Sequence, residues 1–294
     1  MTELLHQVFS GLATGGIYAA VALALVMVYR ATHLLNFAQC EMATFSTYIA
    51  LALIQAGLPY WVAFVATVLV SFMIGLALER LLLRRMDHAR SLAAVGVTIG
   101  LLLIFNALSG WLFGFTVKQF PSPFEGGGHG GGAVLGGLLS AHELGMIAVT
   151  LLVLAAVYAF FRFTTLGLAM RAAAANPESS RLVGIRVGWT LALGWGLAAS
   201  LGAIAGMMVA PEVFLDPNMM SGILLYAFAG ALLGGLDNPA GAVVGGFAVG
   251  VIENLGGAYL VGTELKLTLA LVIIASVLVL RPAGLFGRAV VARV

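Results

Sequence analysis

The hydrophobic positions of the chain form long, nearly uninterrupted runs, without the alternation of an outer-membrane barrel strand. A helix needs about 20 apolar residues to cross the hydrocarbon core of a bilayer, and backbone polar groups in lipid must be satisfied within the segment. The runs therefore predict an all-α polytopic membrane protein with about nine transmembrane helices, in a range of about eight to ten. The predicted spans are residues 8–29, 38–56, 60–80, 91–113, 144–162, 187–210, 219–236, 239–260 and 264–281.

Composition supports lipid as the solvent of this chain. Hydrophobic residues make up 62% and charged residues 9% of the 294 positions, whereas a soluble domain carries about a quarter charged residues. The 38 glycines suit helices that pack closely on small residues. The single cysteine, Cys40, excludes an internal disulfide and a cysteine-rich metal site, and no other pattern of metal ligands is present.

The basic residues predict the orientation of the chain. With nine spans, every arginine falls on one side of the membrane, and the only two lysines, Lys118 and Lys266, fall on the other. The positive-inside rule makes the arginine side cytoplasmic, so the N-terminus is expected outside and the C-terminus inside. Lys266, at the start of the ninth span, is expected to snorkel outward.

Two connections between spans are long. Residues 114–143 form an external loop with a glycine-rich stretch that is not expected to fold independently. The cytoplasmic connection 164–187 is predicted to contain a helical piece at Arg171–Ala175, a break at Asn176-Pro177, a second piece from Glu178 to Val183 that includes Arg181, and a C-cap at Gly184. This pair of short helices is either a docking element for a cytoplasmic partner or an ordinary amphipathic interfacial helix.

Polar residues inside the apolar runs are candidates for a translocation pathway, because such groups usually face the protein interior or a water-filled path. Asn36, Gln39 and Glu41 cluster between the first two spans, and a broken or re-entrant helix near residues 33–42 would turn them toward one cavity. The alternative is that they cap and tie down the broken helix by hydrogen bonds. Glu253 and Asn254 lie in the eighth span, where a buried carboxylate is expected either to pair with a partner or to be neutral.

Several motifs together resemble one family, the permease subunits of branched-chain amino acid ABC importers of the LivH type. The N-terminal pattern runs from Gly15-Gly16-Ile17-Tyr18 to Tyr29-Arg30 and on to Asn36-Phe37-Ala38-Gln39-Cys40-Glu41. Further matches are Leu166-Gly-Leu-Ala-Met-Arg171, Leu182-Val-Gly184-Ile185, Gly202-Ala-Ile-Ala-Gly206, Leu233-Gly-Gly-Leu-Asp-Asn-Pro239, Val251-Ile-Glu253 and Pro282-Ala-Gly284-Leu-Phe-Gly287. The chain departs from the pattern at Cys40, where such permeases usually carry glycine, and at Asp237-Asn238, where they often have a small residue and serine.

The resemblance implies a single transmembrane permease domain over residues 1–294 with type II ABC importer architecture, in a bacterial inner membrane. It implies a second permease subunit, cytoplasmic ATP-binding subunits and an extracytoplasmic substrate-binding protein as partners, and branched-chain or related amino acids as substrates. The loop 164–187 would then couple to the ATPase subunits. No cofactor is expected on this chain, since ATP and Mg would be used by those partners. Urea or a short amide is the alternative substrate class.

A different class remains open on the residues alone: an ion-coupled secondary transporter or channel that acts by itself. It would be expected to show paired intramembrane ionisable groups or a broken-helix motif in both halves. An enzyme has no motif in its favour, because the sequence contains neither a phosphate-binding P-loop nor a nucleophile-elbow serine.

Overall fold

The computed structural model describes residues 2–32, 34–85, 91–124, 133–134, 139–281 and 283–287. Within these ranges the chain is helical apart from one two-stranded antiparallel ribbon, β1 (Ala133–Val134) and β2 (Leu139–Ser140). The helices are α1 Thr2–Thr32, α2 Gln39–Gln55, α3 Tyr60–Leu81, α4 Ser91–Phe113, α5 Ala141–Phe163, α6 Thr165–Ala175, α7 Pro177–Leu182, α8 Val187–Val213, α9 Ser221–Gly234, α10 Pro239–Gly256 and α11 Lys266–Leu280. A π-helical segment, Gly257–Val261, extends α10, and short 3₁₀ turns cover Leu83–Arg85 and Thr263–Leu265.

Each of the nine predicted spans coincides with one helix of the described chain, so the all-α prediction is confirmed. Six helical segments among the described residues are long and apolar enough to cross a membrane by length and composition. They are Glu3–Arg30, Tyr60–Arg85, Val95–Phe113, Ala141–Phe163, Val187–Val213 and Pro239–Leu260. Helices α2, α9 and α11 have only 17, 14 and 15 residues, so a count of nine complete spans stays a prediction.

The chain divides into two compact units, and the larger set of helix contacts lies in the unit of residues 27–123 and 148–221, here the α2–α8 unit. Helices α3 and α8 pack closely where each carries a glycine: a β-carbon on Gly75 would lie 2.8 Å from Cβ of Ala199, and one on Gly196 would lie 2.8 Å from the ring of Phe72. The hydroxyl of Ser200 bonds to the carbonyl of Val68 at 3.3 Å, whereas Arg80 lies over the ring of Trp189. The α8 partner number thus falls as the α3 number rises, so the two helices run antiparallel.

The other unit comprises residues 1–26, 124–147 and 222–294, here the α1–α10 unit. Its helices approach each other most closely at glycine residues. A β-carbon on Gly11 would lie 2.9 Å from Cα of Val251, and one on Gly230 would lie 2.7 Å from Cα of Gly246. Gly246 also lies against the backbone of Ala19, so α10 is held between α1 and α9 by backbone contact. The predicted role of glycine in close helix packing is thus confirmed.

Helix α10 begins at one of the positions where the sequence departs from the family pattern. The side-chain oxygen of Asn238 accepts a hydrogen bond from the backbone N–H of Gly241 at 3.2 Å, and Pro239 occupies the first helical position. Asn238 also donates to the carbonyl of Phe286 at 3.2 Å. Asparagine and serine are both strong N-caps, so the departure preserves the helix start.

The connection 114–143 is described at residues 114–124, 133–134 and 139–143. Lys118 and Leu215 exchange two backbone hydrogen bonds of 2.9 Å each. At the other end Ser140 and Glu143 form a reciprocal capping box, with bonds of 2.8 and 3.0 Å, which starts α5. Most of the glycine-rich stretch lies outside the described residues.

Candidate functional site

The predicted polar cluster lies on a non-helical segment, residues 34–38, between α1 and α2. The carbonyl of Leu35 accepts a hydrogen bond of 3.4 Å from the hydroxyl of Thr98, and Thr98 is seven residues inside α4. At 1.5 Å per residue this is about 10 Å from the start of that helix. The unwound segment is therefore level with the interior of a predicted span, as a broken helix requires.

Asn36 and Gln39 tie this segment down. The side-chain oxygen of Asn36 accepts from the backbone N–H of Ala38 at 3.1 Å, and its amide nitrogen donates to Gln39 Oε1 at 3.1 Å. Gln39 in turn donates through Nε2 to the carbonyl of Ala198 at 2.7 Å. Both side chains are buried and occupied by these bonds, which is the tie-down role that the sequence left open as an alternative.

Glu41 does not join that network but faces α4. The side-chain nitrogen of Asn106 donates to Glu41 Oε2 at 3.3 Å, to the carbonyl of Pro217 at 3.1 Å and to Asn218 Oδ1 at 2.9 Å. Glu41 is 5% exposed, whereas Asn218 is exposed. A chain of polar contacts therefore runs from the surface of the α2–α8 unit to a buried carboxylate.

A short loop between α8 and α9 supplies the outer part of this cluster. Phe214, directly after α8, has a φ of 61°, in the region that favours glycine. The next residue, Leu215, pairs with Lys118, and Asp216 Oδ1 then accepts from the backbone N–H of Asn218 at 2.6 Å. These bonds fix Pro217 and Asn218 over Asn106.

The sequence analysis missed Asn106, Asp216 and Asn218. Asn106 interrupts an apolar run of α4 and could have been flagged on that ground, as Glu253 was in α10. Asp216 and Asn218 look like ordinary turn residues, because Asp-Pro-Asn is a common turn composition. Only the fold brings them to Glu41.

The second predicted pair, Glu253 and Asn254, lies in the α1–α10 unit. The hydroxyl of Tyr18 donates to Glu253 Oε2 at 2.7 Å, and Lys266 Nζ lies 3.8 Å from Glu253 Oε1. Lys266 also donates to Asn254 Oδ1 at 3.1 Å, and Asn254 donates to the carbonyl of Gln7 at 3.4 Å. The expected pairing of Glu253 is confirmed. The ammonium of Lys266 contacts the end of α10, and outward snorkelling of this side chain stays a prediction.

The connection 164–187 forms the predicted helix pair. Thr164 caps α6 by accepting from Gly167 N at 3.0 Å, and Asn176 caps α7 by accepting from Ser179 N at 3.0 Å, with Pro177 at the first position of α7. Gly184 follows with a φ of 86°, which glycine adopts without strain. The predicted break and C-cap are therefore confirmed.

The surface of this helix pair is apolar at its tip. Leu182 is 88% and Val183 is 76% exposed, beside the exposed charges of Glu178 and Arg181. Arg171, by contrast, is half-buried within α6. An exposed apolar tip rimmed by charge is typical of a surface that a partner covers.

Comparisons with known proteins give matches over nearly the whole length of the chain. Residues 7–279 match the family model of the branched-chain amino acid transport system permease component. The permease protein LivH of Salmonella typhimurium is 28% identical over 99% of this chain and 97% of its own. BraD of Pseudomonas aeruginosa is 28% identical over 100% of both chains, and a probable LivH of Methanocaldococcus jannaschii is 28% identical over 91% of this chain and 87% of its own.

Among solved structures, PsaBC from Streptococcus pneumoniae in complex with Fab has a TM-score of 0.51 and 13% identity, over 93% of this chain and 91% of that one. This likeness concerns the fold alone. The family match over nearly the whole chain carries the assignment: the protein is a member of the family of branched-chain amino acid transport permease components.

Proposed function

We propose that this chain is the transmembrane permease subunit of an ATP-binding cassette importer and forms the pathway for branched-chain or related amino acids delivered by a substrate-binding protein. The family match over residues 7–279 carries the proposal. The working assembly would add a second permease subunit and cytoplasmic ATP-binding subunits, which use ATP and Mg. The chain itself would act as one transmembrane domain of type II architecture in the bacterial inner membrane, with its N-terminus outside.

The helix pair α6–α7 is the proposed coupling element. Two local features stabilise the shape of this helix pair: the start of α7 at Asn176–Pro177, and the left-handed backbone conformation of Gly184 after α7. Its exposed tip offers Leu182 and Val183 as apolar contacts, while Glu178 and Arg181 would orient the partner. The neighbouring Arg171 lies within α6, where it would anchor the pair rather than meet the partner.

The pathway is proposed to pass the buried carboxylate of Glu41. Asn36 and Gln39 would keep the entry to α2 unwound, and an unwound segment at span depth is a usual place for substrate in transporters. Glu253 and Asn254 would hold α10 against α1 and α11.

The test is uptake of radiolabelled leucine by proteoliposomes that contain the complete importer, with its binding protein outside and ATP inside. Leucine uptake that needs both ATP and the binding protein supports the proposal. Uptake of urea or a short amide instead of leucine would change the substrate class and leave the subunit assignment intact. Uptake by this chain alone, driven by an ion gradient, would overturn the assignment.

Uptake by this chain alone would indicate a second candidate function, an ion-coupled transporter. One observation favours this candidate. The sequence analysis named paired intramembrane ionisable groups as its mark, and Lys266 and Glu253 form such a pair at 3.8 Å. Glu253 lies three residues before the end of α10, and Lys266 is the first residue of α11. The ion pair is therefore also explained as a contact that joins the ends of these two helices.

Leu182→Ser tests the coupling element, with Leu260→Ser as the matched control because Leu260 is 82% exposed at the far end of α10. Removing an apolar side chain from a contact costs about 1.5–3 kcal/mol, so Leu182→Ser should weaken retention of the ATP-binding subunits about tenfold or more. Leu260→Ser should retain them as the wild type does. Equal retention in both variants would make α6–α7 an interfacial helix pair without a docking role.

A further inference from the structure

The cluster around Glu41 contains more hydrogen-bond acceptors than its one donor group can satisfy. The side-chain nitrogen of Asn106 faces Glu41 Oε2, the Pro217 carbonyl and Asn218 Oδ1 at 3.3, 3.1 and 2.9 Å. A primary amide nitrogen carries two hydrogens, so three acceptors compete for two donors. The Asp216 carboxylate also interacts electrostatically with Glu41, which adds a second negative charge.

A second, independent feature points into the same place. Tyr48 is fully buried, and its hydroxyl has no hydrogen-bond partner among the described residues. Tyr48 lies seven residues after Glu41, on the same face of α2, and aromatic side chains of helices lean toward the helix N-terminus. Its hydroxyl interacts electrostatically with Asp216. A buried hydroxyl without a partner costs free energy, so a group that bonds to it on binding would gain affinity.

A lysine lies near the same tyrosine. Lys118 Nζ is 5.9 Å from the centroid of the Tyr48 ring. The Tyr48 ring is fixed by stacking on Phe113, with centroids 4.9 Å apart and planes 8° from parallel. The buried Tyr48 side chain therefore has an ammonium near its ring, and its hydroxyl interacts electrostatically with the carboxylate of Asp216.

We propose that this cluster is the amino-acid recognition site of the permease, in which the substrate ammonium replaces the Asn106 amide between Glu41, the Pro217 carbonyl and Asn218, and the substrate carboxylate turns toward Lys118. The proposal rests on the proposed function and deepens it. An ammonium group has three donors and a full positive charge, so it satisfies three acceptors, one of them anionic, better than an amide does. The hydroxyl of Tyr48 would then bond to the bound zwitterion.

This assignment also explains the loop between α8 and α9. The backbone bonds between Lys118 and Leu215 hold the segment of Lys118 next to the turn at Asp216, which carries Pro217 and Asn218. Entry of the substrate would release Asn106 from Pro217 and Asn218, which frees the loop to change its position. An uncharged amide or urea lacks the ammonium and would leave Asn106 in place.

The experiment compares ATP-driven leucine uptake, at saturating binding protein, by complete importers with the wild-type chain, Glu41→Gln, Tyr48→Phe and the control Glu143→Gln. Glutamine keeps the capping box at Glu143, so this control should transport as the wild type does. Glu41→Gln should lower uptake at least tenfold, because a charge-assisted bond to the ammonium is lost. Binding-protein-stimulated ATP hydrolysis should continue, which places the defect at the substrate and not at the coupling element.

Tyr48→Phe separates recognition from packing. Removing a buried hydroxyl without a partner should leave the thermal stability of the importer equal or raised, while leucine uptake falls about threefold to tenfold. A stable Tyr48→Phe or Glu41→Gln importer with wild-type uptake would overturn the site. If the wild-type importer takes up urea or a short amide and no leucine, the permease assignment stands and the ammonium site falls. If it takes up no substrate in the presence of ATP and the binding protein, the proposed function itself fails.

Discussion

Gly230 offers a sharp test of the packing in the α1–α10 unit. In Gly230→Ala the new β-carbon would lie 2.7 Å from Cα and 2.8 Å from N of Gly246 in the neighbouring helix. Carbon atoms in good contact are about 3.5–4.0 Å apart, so α9 and α10 must separate by about 1 Å. The atoms in the way belong to the backbone and cannot rotate aside.

The expected magnitude comes from two opposing effects. Overpacking costs about 1–3 kcal/mol, and the rigid backbone on both sides places Gly230→Ala near the upper value. Replacing glycine by alanine within a helix returns about 1 kcal/mol. The net expectation is a loss of about 2 kcal/mol in the free energy of unfolding.

Gly222 provides the matched control because it lies in the same helix and a β-carbon there would meet nothing within 4 Å. Gly222→Ala should be neutral or stabilising by up to about 1 kcal/mol. The two variants should then differ by about 3 kcal/mol, or about a hundredfold in the unfolding equilibrium. Equilibrium unfolding in mixed micelles with increasing SDS measures this difference. A Gly230→Ala protein as stable as Gly222→Ala would refute the backbone contact between α9 and α10.

Three further predictions concern single polar contacts. Asn176→Ala removes the acceptor of the Ser179 N–H and should cost about 1 kcal/mol in α7, seen as about fivefold faster amide exchange there, whereas Asn176→Asp should keep the wild-type rate. Unchanged exchange in Asn176→Ala would show that the cap does not hold the helix. Tyr18→Phe removes the 2.7 Å bond to Glu253 and should cost about 0.6–1.7 kcal/mol, the usual range for a bond between helices in a membrane. In a double-mutant cycle, Glu253→Gln with Lys266→Met should show a coupling energy below about 1 kcal/mol, since the pair is 3.8 Å apart and partly exposed; a larger value would contradict this.

The α6–α7 helix pair was predictable from sequence in detail. The Asn176-Pro177 break, the following short helix and the Gly184 end all depend on local chemistry: an amide that caps, a ring that fixes φ and a residue without a β-carbon. Such features are decided within a few residues, so the sequence alone contains the information. The role of the pair is a different matter, because it depends on a partner chain.

The polar sites were predictable only in part. The rule that polar residues in apolar spans face inward picked out Glu41 and Glu253 correctly as buried groups. It did not give their partners. Glu41 meets Asn106, which is 65 residues away, and Glu253 lies 3.8 Å from Lys266 of the next helix.

The sequence by itself determined the positions of the helices, the caps of the α6–α7 pair and the family, because apolar length, capping residues and motifs are properties of short segments. The tertiary structure decided which helices touch and which polar groups meet. Helical periodicity gives the face on which a side chain lies but not the helix that it faces. In this chain the choice of neighbour depends on where glycines such as Gly230 and Gly246 let two backbones approach, and that fit exists only once both helices are in place.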